Sequence, residues 1–440
     1  MKQKLYEKYL KSGNTYYLTK YRYYRNKVST LIKHSKREYY SDYFKTNSKY
    51  IRNIWNGIKQ LITLKPRGLN LISKISHNNQ TITDPKAIAT AFNKHFSNIG
   101  ERLAGNIPDV QIDTLDFMGS EQPNSFYLSP VTTIEIEDKI SNLNSSKAVG
   151  PFSIPIYLLK LLKTYFTTPL ETIFNLSFNS GCVPDHFKIA NVIPIHKKDS
   201  VTCLNNYRPI SLISIFNRIL EKLMFKRLSS FIEKHKILYD KQFGFRTKHS
   251  TTHATLLITD RIQKAIENGQ FSCGIFLDFS KAFDTVNHDI LISKLNHYGV
   301  RGIAKEWFIS YLHNRKQHVS IGTCKSDDLC ITHGVPQGSV LGPLLFLLYI
   351  NDFSNCCSYF DFHIFADDTN LFCTNSSLRP LESLINENLK LVSLWLLANK
   401  LSLNIDKTNF IIFHPRQKVI NYQVRLHIAY EELKQCSIDV

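Results

Sequence analysis

Acidic residues are scarce in this chain of 440 residues. Its 36 Asp and Glu stand against 55 Lys and Arg, a formal net charge of +19. So basic a balance points to a polyanionic partner, nucleic acid or an anionic membrane face, and says nothing about fold. Long apolar runs are also lacking. The longest, Leu341 to Ile350, is interrupted by Gly342 and Pro343. It falls short of the about 20 residues that span a bilayer, so no membrane partner is expected. No CxxC pair occurs among the nine cysteines, Cys182, Cys203, Cys273, Cys324, Cys330, Cys356, Cys357, Cys373 and Cys436. An odd count at irregular spacing argues against a disulfide framework and a zinc ribbon, and predicts reduced thiols in an intracellular protein. The basic N-terminus has no apolar h-region, so no signal peptide is expected. Internal repeats and low-complexity tracts are absent. With 43% hydrophobic residues the chain can bury a sizeable core, and its length suits two or three domains.

What is present is unevenly distributed. The first fifty residues hold 13 Lys and Arg against 3 Asp and Glu, with 11 of the 22 tyrosines. Cations can neutralise phosphates and rings can stack on bases, whereas a solvated helical linker has the same composition. From Trp55 to Leu103 the pattern reads helical, with Asp84 and Pro85 as an N-cap and first helical position. Residues 106–129 are irregular and read as a linker. Beyond them short apolar runs alternate with helical segments, which predicts a mixed domain of helices and strands.

Three segments carry candidate chemistry. In FHIFADDTNLF, two apolar runs flank Ala366, Asp367, Asp368 and Thr369, a hairpin signal with acids at its tip. Adjacent carboxylates at a tight turn can converge and then need a cation or a proton between them. Taken alone, such a pair is ordinarily a solvated turn. In SCGIFLDFSKAFDTVNH, Asp278 lies near the end of an apolar strand-like run, and a helical pattern follows from about Lys281. A carboxylate there is paired or metal-bound, unless the register turns it to solvent. In HGVPQGSVLGPLLFLLYINDF, Gly334 and Gly338 precede an apolar helix-like run. They permit close backbone approach to a ligand or merely to a neighbouring strand. Together the segments offer carboxylates from two strands, the requirement of an in-line displacement clamped by two divalent ions.

In order along the chain, NVIPIHKKD, NYRPISLIS, QFGFRTKHSTTHA, LDFSKAFDTVNH, GVPQGSVLGPLLFLLYINDF, FADDTNLF and WLLANKLSLNIDKTNFIIF resemble the motifs of a non-LTR (LINE-type, jockey-like) retrotransposon reverse transcriptase, from roughly residue 140 to 413. The resemblance implies an α+β, right-hand polymerase fold. Its antiparallel palm sheet is backed by helices and preceded by a helical N-terminal region. Residues 1–125 would be a basic connector, 126–255 fingers, 256–415 palm, and 416–440 the start of a largely absent thumb. It implies RNA-directed DNA polymerase activity with two Mg2+ ions, or Mn2+ in their place, and RNA template, DNA primer or target, and dNTPs as partners. Asp278, Asp367 and Asp368 would bind the metals. Phe283 would exclude the 2′-hydroxyl, although its spacing alone suits a core residue. Arg208 and one of Lys197 or Lys198 would grip the triphosphate. Gln337 and Gly338 would shape the template and base-pair pocket, and Lys407 would protonate the leaving pyrophosphate. Without the motifs, Arg208 and Lys407 read as ordinary surface cations.

One fingers loop departs from the family pattern Gly-Pro-Asp-Gly-Ile-Pro. It reads Gly150, Pro151, Phe152, Ser153, Ile154, Pro155, and without the second glycine it has less conformational freedom. A chain of this extent also raises a second reading, a catalytically inactive nucleic-acid-binding remnant. A third, a nuclease using the same acids, gives no reason for the ordered phosphate-gripping cations.

Overall fold

In the computed structural model, residues 2–48, 50–62, 72–77, 80–145, 148, 150–152, 154–418, 422–429 and 431–436 are described. The chain divides into two compact units, Met1–Leu71 and Ile72–Val440. The first contains α1 (Lys2–Ser12), α2 (Thr15–Thr46) and α3 (Ile51–Ile62). Asn14 caps α2 by accepting from Tyr16 N at 2.9 Å. None of the α2 residues is buried.

The second unit opens with β1 (Ile75–His77) and β2 (Gln80–Ile82), an antiparallel pair, where the sequence pattern predicts helix. Ile and Thr at these positions favour extended backbone, and Ser76 N donates to Thr202 O at 2.8 Å. The predicted cap does form. Asp84 Oδ2 accepts from Ala87 N at 2.8 Å, and Pro85 opens α4 (Pro85–Gly105). Between α4 and α5 (Thr133–Ser141) the chain is irregular apart from one 3-10 turn at Thr114–Phe117. Helices α6 (Ile156–Leu161) and α7 (Lys163–Ser180) follow. Before them, Phe152 takes a φ of +51°, and Ser153 lies outside the described residues.

Two sheets then organise the fold. Strands β3 (Ile189–His196) and β4 (Tyr207–Ile213) precede α8 (Ile215–Lys234) and α9 (Thr251–Glu267). Strand β5 (Phe271–Asp278) leads through a 3-10 turn to α10 (His288–His297) and α11 (Ile303–Leu312). Strands β6 (Arg315–Ile321), β7 (Cys324–Lys325) and β8 (Leu329–Ile331) complete one sheet, ordered β4-β3-β6-β7 with β8 on β6. After α12 (Gly342–Tyr349) come β9 (Asp361–Phe365), β10 (Asp368–Asn375), α13 (Leu378–Ala398) and β11 (Asn409–Phe413). Short strands β12 (His427–Ile428), β13 (Glu431–Glu432) and β14 (Lys434–Gln435) close the chain. The second sheet runs β14-β11-β5-β10-β9, antiparallel except for the parallel β11–β14 pair.

The apolar run of the 333–353 segment becomes α12, buried from Leu344 to Tyr349. Beside it, Lys294 and Asp352 form an ion pair that is 0% and 1% exposed. Trp395 Nε1 donates to the same carboxylate at 2.9 Å. Such a pair is tolerable in a core only because donors and acceptors are matched. All nine cysteines are free.

Candidate active site

Strand register brings two acids together. Asp278 ends β5 and Asp368 begins β10, and the two are directly paired across the antiparallel ladder. Asp367 occupies the turn between β9 and β10, beside Ala366 at a φ of +57°. A left-handed alanine is strained, and the tip is held from outside. Gln242 Oε1 accepts from Ala366 N at 3.1 Å and from Gly244 N at 2.9 Å. A Cβ on Gly244 would lie 2.6 Å from Ala366 N, so only glycine lets this segment approach.

The carboxylates feel one another. Burial and then the charges of Asp367 and Asp278 raise the Asp368 pKa, with Lys197 opposing. Asp278 is fixed through its backbone: Asn404 N donates to its carbonyl at 2.7 Å, and its own N donates to Thr408 Oγ1 at 3.3 Å. Lys407 Nζ stands 3.1 Å from Asp278 Oδ2. Three hard oxygen donors of like charge suit a divalent ion. Among the described residues, no group of three or more His, Cys, Asp or Glu forms a ready-made cage. Mg2+ ordinarily keeps waters and takes one or two carboxylates plus substrate phosphates. Asp278 and Asp368, paired on the ladder with Asp367 beside them, are donors of the type such an ion takes.

Cations face these acids. Burial, followed by the charges of Arg208 and Lys407, lowers the Lys197 pKa, while Asp278 raises it. Lys198 is exposed, with Asp199 at 4.0 Å. Arg208 is exposed on β4 opposite Ile195. Lys281, which sequence reasoning passed over, joins the set. It is lowered chiefly by burial, with Lys197, Arg208 and Lys407 adding and Asp284 opposing. Its ammonium reaches Asn205 O at 3.3 Å and Tyr207 O at 3.4 Å, beside Arg208.

The remaining candidates form a neighbouring layer. Phe283 stacks on Phe346 at 4.5 Å and meets Phe245 edge-on at 6.3 Å. Gln337 Nε2 donates to Asp284 Oδ1 at 2.8 Å, and its carbonyl accepts from Ser211 N at 2.8 Å. Gly338 has a φ of +113°, and a Cβ there would lie 2.9 Å from Ser211 O. The helix expected from Lys281 is instead a 3-10 turn at Ala282–Asp284. The α-helix begins at His288, after Asn287 caps it by accepting from Asp289 N and Ile290 N. Asp284, Lys281 and Gln242 lie inside the quoted motifs, but no local pattern reveals contacts to residues so distant in sequence.

Residues 195–432 match the family described as reverse transcriptase (RNA-dependent DNA polymerase). In Drosophila melanogaster, a protein named probable RNA-directed DNA polymerase from transposon BS is 32% identical over 67% of this chain and 33% of the relative. The RNA-directed DNA polymerase from mobile element jockey of that organism is 30% identical over 72% of this chain and 36% of the relative. The R2 Pol polyprotein of Popillia japonica is 28% identical over 38% of this chain and 23% of the relative. The chain spans about a third of the length of the first two. With an ordered acid pair, a glycine loop and a lysine in the family's sequence order, the chain belongs to the reverse transcriptase (RNA-dependent DNA polymerase) family, in its jockey-like non-LTR retrotransposon branch.

Proposed function

We propose that this chain carries the polymerase centre of a non-LTR retrotransposon and extends a DNA primer on an RNA template. The observation that carries the reading is the pairing of Asp278 with Asp368, with Asp367 adjoining and Lys407 on Asp278. In this reading residues 126–255 are fingers, 256–415 palm, 1–125 a connector, and 416–440 the truncated start of a thumb region. Asp278, Asp367 and Asp368 would hold two Mg2+, for which Mn2+ can substitute. Those ions would lower the charge on the reacting oxygens during in-line displacement.

Each side chain has a definite task. Arg208 and Lys197 bind the triphosphate, the former by its planar fork. Phe283, backed by Phe346, closes the space a 2′-hydroxyl would need. Gln337 and Gly338 shape the pocket for the templated pair. The primer 3′-hydroxyl gives its proton to water as its oxygen bonds to the α-phosphorus and the bond to pyrophosphate breaks, and Lys407 gives a proton to the leaving group. In this reading the work is done inside the cell, in cytoplasm and nucleus. Among the described residues no helix is long and apolar enough to cross a membrane.

Primer extension on an RNA template with Mg2+ tests the reading. Asp278→Asn is expected to abolish incorporation while leaving nucleic-acid binding intact. Salt-sensitive binding by the wild-type chain without incorporation would favour the inactive remnant instead.

A further inference from the structure

Helix α12 begins without a cap of its own. Its N-cap residue is Leu341, which offers no side-chain acceptor. The first N–H groups of a helix need partners from elsewhere. Gly342 N donates to Ser339 Oγ at 2.9 Å. Just upstream, Val340 N donates to Glu221 Oε2 on α8 at 2.6 Å, and Leu341 N faces the same carboxylate. Glu221 is 0% exposed. Its other oxygen accepts from Tyr311 Oη at 2.8 Å and Asn217 Nδ2 at 3.2 Å. Every one of these contacts is a donor to the carboxylate. Burial, the largest influence, raises the Glu221 pKa, while Val340 N, the Arg315 charge, Tyr311 Oη and Leu341 N favour the anion. Arg315, 2% exposed, and Arg218 supply compensating charge.

The segment this carboxylate holds carries groups that the polymerase reading assigns to the nucleotide pocket. Gln337 and Gly338 lie on one side of Val340, and Phe346, the stacking partner of Phe283, lies on the other. A negative charge at a helix N-terminus is itself stabilising. Resting on the polymerase reading above, we propose that Glu221 is a positioning residue. From α8 it caps α12, and so fixes the Gln337–Gly338 loop and the Phe346–Phe283 stack for the incoming dNTP.

Glu221→Gln in the full chain keeps the volume but turns an amide toward a donor. Hydrogen exchange over residues 336–346 should accelerate about tenfold, the loss of one charge-assisted bond. The dNTP KM should rise about tenfold with kcat changing less than about threefold, and discrimination against rNTPs should fall. Unchanged exchange, or unchanged KM and discrimination in a chain whose loop has loosened, overturns the proposal. Tyr311→Phe keeps the Val340 contact and should leave the loop protected. Equal loosening there would assign the effect to the whole buried cluster and also overturn it. If Glu221→Gln does not fold, Glu221→Asp, anionic but one methylene short, carries the same comparison. A wild-type chain with a protected loop and no primer extension would sink the polymerase reading, and with it the nucleotide half of the proposal. The exchange result would then decide the cap by itself.

Discussion

Asp284 ties the glycine loop to the strand that carries Asp278, and it does so with a carboxyl that is reluctant to ionise. Burial raises its pKa to about 6, opposed by the Gln337 hydrogen bond and the Lys281 charge. Its Oδ2 is buried without a protein partner among the described residues. With its pKa raised above the ordinary 3.8, Asp284 keeps its proton in the folded chain between about pH 4 and 6, where the unfolded chain has lost it. Stability from this group is therefore present at the acid end and declines as pH climbs through that window. Asp284→Asn still offers an oxygen to Gln337 and removes the titration. Relative to wild type it should be about equally stable at pH 4 and up to about 2–3 kcal/mol more stable at pH 7. Urea midpoints across that range measure this, and parallel curves would refute it. None of it was legible in the sequence. The three aspartates at 278, 367 and 368 stood out because apolar runs framed them, and strand register then paired two of them. Asp284 sits in equally plain view within LDFSKAFDTVNH, yet its partner lies on another segment and no periodicity points to it.

At the scale of elements, local chemistry was legible where it acts locally. Asp84 and Pro85 start α4 because a cap and a fixed φ need only neighbours in sequence. The helical reading failed at Ile75–His77 and Gln80–Ile82, where pairing and a contact to Thr202 outweigh a weak helical pattern. The joint between α5 and α8 was invisible for the same reason. Glu135 on α5 accepts from Lys226 Nζ and Arg227 Nη2 on α8, both at 2.8 Å. Burial alone would raise its pKa, but the two cations hold it down to about 2. For a depressed carboxylate the stabilisation is present above its unfolded pKa and is lost as pH falls through about 2. Lys226 is 58% exposed, so solvent screening trims the effect. Glu135→Gln should lower stability by about 1–2 kcal/mol at pH 7. The deficit should shrink from pH 4.5 toward pH 2. A constant deficit at all pH values would assign the loss to packing.

At the scale of the whole molecule, the alternation of strands and helices was legible, but sheet order was not. The parallel pairing of β3 with β6 joins segments that no local pattern links. Net charge was the most legible whole-molecule property, and it leads to a prediction about α2. Every residue from 25 to 39 is exposed. That stretch contains Arg25, Lys27, Lys33, Lys36 and Arg37 against Glu38 alone among acids. A helix exposed along its length gains little from packing, and with Val28, Leu31 and Ile32 exposed beside those cations it either bridges through solvent or meets a partner. Neutralising phosphates releases counterions, so log K falls with log salt in proportion to the contacts made, by about 0.9 per contact on duplex DNA and about 0.7 on single strands. Changing those five cations to glutamine together should therefore flatten the salt dependence of RNA binding by about 1.5–2 if two or three of them reach phosphate. Fluorescence anisotropy between 50 and 200 mM salt, on single-stranded RNA, reads the slope directly. An unaltered slope with unaltered affinity would make α2 a solvated linker whose charge keeps it soluble and extended, and would shift the burden of nucleic-acid attraction to the cations around Arg208.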